Sequence, residues 1–368
     1  MRRFAVFLVL MASPLGAQNS QAPIPLASPE VRADHRVTFR LRAPNAKEVL
    51  LALEGVRRVP MEKDEQGVWS VTTDPLEPDY YGYSFMVDGI ALIDPMNALM
   101  KASLLNAENM VHVPGPATLP WEANQVPHGI LHHHFYKSRA ARDERDFFVY
   151  TPPGYDPRAS RLYPVLYLQH GYSGDARAWS VNGRVNVMLD NLIAEGRAKP
   201  MVAVMSLSYG APEMVRRSGP DLTLMKQNYD RFREALLTEV IPEVEKTYRV
   251  SKDADSRAIA GVSMGGTEAL YIGLNAAKTF GWVGSFSAGG MLDDFDATFP
   301  TVDSKHNARL RLLWIACGAE DPLIGPNRTF RDWLTVRGVT FIPIETPGMH
   351  TWMVWRRNFA AFAPLLFR

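Results

Sequence analysis

Ser263 is the residue around which nucleophilic chemistry could be organised. The segment Gly261-Val262-Ser263-Met264-Gly265-Gly266 fits G-x-S-x-G. The pattern alone is weak, since composition produces it roughly once in ten chains of this length. Its flanks strengthen it. Ala258-Ile259-Ala260 is an apolar, strand-like lead-in, and Glu268-Ala269-Leu270-Tyr271-Ile272 is a helix-competent exit. Strand, tight serine turn and helix together make a nucleophile elbow. Glycines belong there because side chains would collide in so tight a turn. The hydroxyl is then held at the edge of a sheet, and the Met264 backbone N–H points into the same space as a donor for a developing oxyanion.

A serine hydroxyl needs a base beside it before it can attack an ester. Behind an elbow of this kind the partners follow in the order serine, acid, histidine. Past Ser263 the chain has His306 and His350. His306 lies in the polar stretch Asp303-Ser304-Lys305-His306-Asn307 and is expected to be solvated. His350, in Thr346-Pro347-Gly348-Met349-His350-Thr351-Trp352, falls between the last strand and the last helix, where a scaffold presents reactive groups. It is the expected base. The acid is expected in Gly318-Ala319-Glu320-Asp321-Pro322, with Asp321 preferred and Glu320 the alternative, since either carboxylate can orient an imidazole. Asp293, Asp294 and Asp296 are expected to form a solvated loop.

A second oxyanion donor is expected after an early strand. Tyr167-Leu168-Gln169-His170-Gly171-Tyr172 offers the Tyr172 backbone N–H, with His170 shaping the turn. His132-His133-His134, with His128 upstream, does not suit a metal ion, because consecutive strand residues point to opposite faces. No metal and no cofactor are expected. Cys317, the single cysteine, ends the apolar run Leu312-Leu313-Trp314-Ile315 and is expected to be a buried small hydrophobe rather than a nucleophile.

The elements that must position these groups fall into two textures. Before residue 114 short alternating segments recur: Arg36–Arg42, Val49–Leu53, Val68–Val71 and Tyr81–Val87, separated by turn signals such as Gln66-Gly67 and Asp88-Gly89. That pattern predicts a small β-sandwich. Pro114-Gly115-Pro116 and Pro120 mark a linker. Beyond it strands and helices alternate, which predicts a doubly wound, mostly parallel sheet. The strands are expected at Phe147–Tyr150, Val165–Gln169, Met201–Leu207, Arg257–Ala260, Trp282–Phe286, Leu312–Cys317 and Val339–Ile344. The helices are expected at Asn186–Glu195, Tyr229–Tyr248 (kinked at Pro242), Thr267–Ala277, Asn327–Arg337 and Thr351–Phe362. The expected division is 1–17, an export signal; 18–114, the sandwich; 115–127, the linker; and 128–368, the serine-bearing domain. The export signal rests on Arg2-Arg3, the apolar run Phe4–Met11 and Leu15-Gly16-Ala17. It predicts a secreted or periplasmic protein with no membrane anchor. A net charge of +1, with no basic stripe, argues against a nucleic-acid partner.

Several motifs together carry a family resemblance over about residues 125–368. They are Val149-Tyr150-Thr151-Pro152-Pro153-Gly154-Tyr155, Tyr163-Pro164-Val165-Leu166-Tyr167-Leu168-Gln169-His170-Gly171, the elbow from Ile259 to Gly266, Cys317-Gly318-Ala319-Glu320-Asp321 and Pro347-Gly348-Met349-His350-Thr351-Trp352. This half resembles the esterase D-like branch of the α/β-hydrolases, which includes carbohydrate esterase family one (feruloyl and acetylxylan esterases) and the enterochelin esterases. The resemblance implies an α/β-hydrolase fold and a triad of Ser263, Asp321 and His350. Gly67-Val68-Trp69, Tyr80-Tyr81-Gly82-Tyr83, Val87-Asp88-Gly89 and Asp94-Pro95 resemble the early-set immunoglobulin-like domain found before glycogen-branching enzymes and several esterases of this branch. Some such domains bind glucans through aromatic platforms. Here Trp69 and Tyr83 lie in alternating strands and are expected in the core, with the domain packing on its neighbour and shaping the mouth of the site.

The resemblance implies a serine carboxylic-ester hydrolase acting on feruloyl or related hydroxycinnamoyl esters of plant cell-wall polysaccharide such as xylan. Tyr172, Trp179, Tyr209, Trp352 and Trp355 are an aromatic supply for a cinnamoyl ring, and Trp179, Tyr209 and Trp352 are the expected substrate contacts. Siderophore trilactone hydrolysis, with Arg216-Arg217 meeting an acidic catecholate, and acetylxylan deacetylation are alternatives. A non-catalytic, carbohydrate-binding pseudo-hydrolase is the reading from outside enzymology. The partner in the leading reading is a polysaccharide or oligosaccharide ester. The sequence leaves the oligomeric state open.

Overall fold

The computed structural model describes residues 26–216, 219, 221–290 and 294–368. The export signal expected over 1–17 lies outside them, as do Arg217 and Asp293. Among the described residues no helix is long and apolar enough to cross a membrane.

Eight strands form the sheet that carries the elbow. Their spatial order is Ile130–Ser138, Asp143–Thr151, Val202–Ser206, Val165–Gln169, Arg257–Val262, Trp282–Phe286, Leu312–Gly318 and Ile342–Thr346. The first two pairings are antiparallel and the rest parallel. Val165–Gln169, Arg257–Val262 and Trp282–Phe286 are buried at every position because helices cover both faces. Alternate residues feed different cores. Tyr167, Ile259 and Val283 pack on one face, and Leu166, Leu168, Ala258 and Ala260 on the other. The chain steps from Val165–Gln169 to Val202–Ser206 on one side and returns to Arg257–Val262 on the other. Strand order therefore reverses at Val165–Gln169, and the crevice beyond the carboxyl ends of such a switch point is where doubly wound sheets bind ligands.

Two expected elements shift for local reasons, and one histidine changes its surroundings. The helix expected from Tyr229 begins at Leu222, because Asp221 caps it by accepting the Leu224 N–H at 2.7 Å. It reaches Pro242 through a π-helical segment, Leu236–Val240, before Ile241–Thr247 continues it. The wider turn accommodates a residue that has no N–H to donate. The strand expected from Val339 begins only at Ile342. Left-handed Gly338 closes the preceding helix, and the Val339 N–H is spent on Leu334 O at 3.0 Å. His306 is not solvated as expected. It is buried, with Nε2 3.2 Å from Leu274 O, and it completes a capping box with Asp303.

The amino-terminal module consists of two sheets. Glu30–Val31, Val37–Arg42, Val68–Thr72 and Glu62–Lys63 form one. Val59–Pro60, Val49–Leu53 and Asp79–Val87 form the other, with Ile90–Leu92 and Asn109–Val113 both on Asp79–Val87. Val37, Phe39, Leu51 and Phe85 fill the space between them, and Trp69 and Tyr83 join that core. The Trp69 indole N–H donates to Ala43 O, and the Tyr83 hydroxyl to Asp94 Oδ2. The module docks on the helix Trp352–Phe362. Met353 packs on the sandwich core, and the buried Arg356 guanidinium bonds Asp79 Oδ1 at 2.7 and 2.8 Å.

Candidate active site

Ser263 ends a fully buried strand and starts the helix Met264–Asn275. Its backbone has φ 53° and ψ −121°, a costly conformation for a residue with a side chain. The surroundings enforce it. Ser263 N–H donates to Phe286 O at 2.8 Å, and Ser263 O accepts from Gly289 N–H at 3.0 Å. Gly265 admits no side chain, since a Cβ there would sit 2.4 Å from His170 O and 2.5 Å from Gln169 O. The helix is thereby pressed against the Val165–Gln169 strand end, and the hydroxyl projects into the crevice.

His350 Nε2 lies 3.0 Å from Ser263 Oγ, and its Nδ1 lies 2.8 Å from Asp321 Oδ2. Three groups from three strand ends therefore form one hydrogen-bonded chain. Burial alone would raise the Asp321 carboxyl. Hydrogen bonds from His350 and the Leu323 amide outweigh it and hold the group below the usual carboxylate range. An ionised Asp321 accepts only, so His350 turns an N–H on Nδ1 towards it, and in the neutral imidazole Nε2 is then the nitrogen left to accept from the serine. The Trp355 ring meets the imidazole edge-on at 4.9 Å. Glu320 does not share this position. Its side chain is exposed and accepts the Gly348 N–H.

The remaining expectations divide. Among the described residues the Tyr172 N–H has no backbone acceptor, and the Met264 N–H, first in its helix, has no intrahelical one. Tyr172 lines the cleft containing Ser263 and His350. His170 is fully buried, with Nδ1 2.8 Å from Gly171 O and Nε2 accepting from Ser208 N–H at 3.0 Å. Burial pushes its pKa down to about 4, so a neutral imidazole ties the Gly171–Tyr172 turn to the neighbouring strand end. Trp352 and Trp355 line the cleft. Trp179 and Tyr209, expected to contact substrate, are instead core residues. Trp179 donates its indole N–H to Gln169 O and packs on Phe286, Trp352 and Phe359. Tyr209 is 1% exposed and packs on the His170 ring. Arg216 uses its backbone carbonyl to accept the Tyr172 hydroxyl and does not line the cleft. Cys317 is buried, and burial foremost pushes its thiol up to about 12, which removes it as a nucleophile. The histidine run alternates as a strand must: His132 reaches Thr151 and His134 reaches Tyr248, while His133 turns the other way to Asp146. Asp294 caps a short helix, and Asp296 accepts the Trp333 indole N–H.

The Esterase family model ("Putative esterase") matches residues 138–366. The chain belongs to the esterase family. Its fold is that of the α/β-hydrolases, preceded by an all-β module, and a carbohydrate-binding module 48 (isoamylase N-terminal domain) model matches residues 15–97. The esterase is 29% identical over 348 residues to an endo-1,4-beta-xylanase/feruloyl esterase of Xylanibacter ruminicola, covering 92% of this chain and 46% of that protein. It therefore spans less than half of that relative's length. A carbohydrate esterase family one ferulic acid esterase from Anaeromyces mucronatus superposes with a TM-score of 0.59 at 26% identity, over 69% of this chain and 96% of that one. The enterobactin esterase of Shigella flexneri superposes with a TM-score of 0.69 at 21% identity, over 89% and 92% of the two chains, a likeness of fold.

The cleft of this esterase is lined in part by the amino-terminal module, as expected, but through residues that no motif singled out. Glu54, Lys101, Ser103, Asn106 and Glu108 line it from the amino-terminal module, together with Ser263, His350 and Trp352. Lys101 Nζ lies 3.2 Å from Glu54 and 2.9 Å from Glu108. The Ala102 backbone exchanges two hydrogen bonds with the Asn182 side chain, at 2.8 and 2.9 Å. No spacing rule connects these residues to the elbow. They arrive by docking of one module on the other.

Proposed function

We propose that this esterase is a serine carboxylic-ester hydrolase that releases feruloyl or related hydroxycinnamoyl groups from cell-wall polysaccharide such as xylan. The observation that carries the chemistry is the unbroken chain from Ser263 Oγ through His350 to the buried Asp321 carboxylate. In the first half-reaction His350 Nε2 takes the Ser263 proton as Oγ attacks the ester carbonyl. The oxyanion rests on the Met264 and Tyr172 amides, each contributing about 3 kcal/mol. The C–O bond to the sugar then breaks, and His350 returns its proton to the leaving alcohol. In the second, His350 deprotonates water, which attacks the acyl-enzyme carbonyl; the C–Oγ bond then breaks, His350 returns the proton to Ser263 Oγ, and the carboxylic acid leaves. Neither step calls on a metal or cofactor.

The substrate class is supported by the named feruloyl and ferulic acid esterases above and by Trp352 and Trp355, which offer apolar surface beside the nucleophile. Methyl ferulate and feruloylated arabinoxylan oligosaccharides test it, with ferulate release read by chromatography. No ferulate from either, with acetate released from acetylated xylan or monomers released from enterobactin, moves the assignment to those esters. Inactivity of the wild type on every ester offered points to a non-catalytic, carbohydrate-binding protein. We further propose export with removal of residues 1–17. Amino-terminal sequencing of the mature protein, expected to begin at Gln18, checks this.

A further inference from the structure

We propose that Glu54, a carboxylate of the amino-terminal sandwich, is a positioning residue for His350, acting by capping the Trp352–Phe362 helix from outside its own module. The inference rests on the reading of His350 as the base.

A helix start leaves backbone N–H groups without partners. Thr351 occupies the N-cap position here, but its side chain makes no capping bond. The Trp352 N–H instead donates to Glu54 Oε1 at 2.9 Å, across 298 residues of sequence. A carboxylate at this end also suits the helix dipole. Glu54 is held independently of the helix it caps. Its Oε2 accepts the Gly82 N–H at 2.9 Å and lies 3.2 Å from Lys101 Nζ, and Lys101 is itself tied to Glu108 at 2.9 Å. Burial would raise the Glu54 pKa, but Lys101, the Trp352 amide and Arg356 outweigh it and keep the group ionised.

The helix tip is where position matters. His350 stands two residues before Trp352, and the Thr351 N–H folds back on Met349 O at 2.9 Å, so loop and helix start form one tight unit. Trp355, one turn into the helix, holds the imidazole edge-on. Arg356 and Met353 anchor the body of the helix to the sandwich, whereas Glu54 fixes its first N–H. Removing that anchor frees both the His350 loop and the Trp355 ring to shift relative to Ser263.

A module that only binds carbohydrate changes KM on polysaccharide. A positioning carboxylate changes kcat on an ester too small to need the module. The test uses the full chain with Glu54→Ala and Glu54→Gln, assayed on p-nitrophenyl acetate beside wild type and Ser263→Ala, with thermal melts. Glu54→Ala is expected to lower kcat about 10²-fold, the cost of a displacement of about 1 Å at the reacting groups, with KM within about twofold. Glu54→Gln keeps the shape but leaves one amide oxygen for three donors, the Trp352 N–H, the Gly82 N–H and Lys101 Nζ, so its NH2 faces a donor in either orientation; it is expected to lower kcat by about tenfold, with KM within about twofold. Both variants within about twofold of wild type in kcat, or losses confined to KM, overturn the proposal. If Glu54→Ala does not fold, Glu54→Gln decides on the same kcat criterion. A Ser263→Ala chain as active as wild type overturns the underlying reading as well. An inactive one beside unaffected Glu54 variants overturns this inference alone.

Discussion

Asp321→Asn tests whether the chain from Ser263 to Asp321 moves protons or merely packs. In the wild type the Leu323 N–H donates to Asp321 Oδ1 at 2.8 Å, while Oδ2 faces His350 Nδ1 at 2.8 Å. An asparagine in the same rotamer keeps its carbonyl oxygen on the Leu323 amide, because the reverse orientation sets donor against donor. Its NH2 group is then forced on to His350 Nδ1. An imidazole that accepts at Nδ1 carries its proton on Nε2, 3.0 Å from Ser263 Oγ, and can no longer receive the serine proton. The expected loss in kcat is on the order of 10⁴-fold, or about 5.4 kcal/mol of barrier. The substitution hardly changes volume, so circular dichroism should show an unchanged fold. Steady-state hydrolysis of p-nitrophenyl acetate measures the loss. Glu320→Gln, assayed in parallel, should lose far less, because the exposed Glu320 carboxylate meets Gly348 and not the imidazole. An Asp321→Asn chain within about tenfold of wild type, or a larger loss in Glu320→Gln, refutes the assignment.

Other consequences are equally concrete. Gly265→Ala forces a Cβ on to the His170 and Gln169 carbonyls; a stability loss of at least about 2 kcal/mol is expected in urea, with activity falling too. Arg356→Met strands the buried Asp79 carboxylate. The expected cost is about 3 kcal/mol, the lower end for a broken buried pair, because burial already raises the Asp79 pKa and lets the group neutralise; denaturant unfolding measures it. Glu268 is fully buried, accepts from Asn228 at 2.9 Å and has its pKa raised well above the carboxylate range by burial. An acid raised by folding contributes stability that is complete below its unfolded pKa and lost as pH rises through the folded one. Glu268→Gln removes that titration, so its Tm relative to wild type should climb with pH, and a constant difference between about pH 5 and 9 contradicts the argument.

What the sequence disclosed about the site was whatever is built locally. The elbow is legible because strand, glycine turn and helix are adjacent, and Ser263, Asp321 and His350 follow three strand ends of one parallel sheet in chain order, with the strand Trp282–Phe286 between the first two. Glu320 and Asp321 are neighbours with the same chemistry. Residue type does not separate them, and the resemblance favoured Asp321; in the structure the turn separates them, since Asp321 tucks under the Leu323 amide while Glu320 faces solvent. Aromatic character misled at Trp179 and Tyr209, because a ring beside a strand end serves a core as readily as a pocket. Trp179 has a carbonyl for its indole N–H and three aromatic neighbours, so nothing draws it into the cleft. Polar flanks misled at His306, whose Nδ1 completes the capping box with Asp303 and whose Nε2 meets Leu274 O.

The wall formed by Glu54, Lys101 and Glu108 had no local signature, and its illegibility has a physical source. Each of these residues lies in a module whose own pattern is that of an ordinary sandwich, in which partly exposed charges on strand ends and loops need no explanation. Their meaning comes from the helix Trp352–Phe362, which is both the element that follows His350 and the surface on which the sandwich docks. Arg356 reaches Asp79 and Tyr80 O there, Met353 enters the sandwich core, and Glu54 meets the first N–H of the helix. One helix thus serves as the exit from the His350 loop and as the interface. A change in how the modules dock is therefore a change at the imidazole, and the amino-terminal module belongs to the machinery that places His350 opposite Ser263.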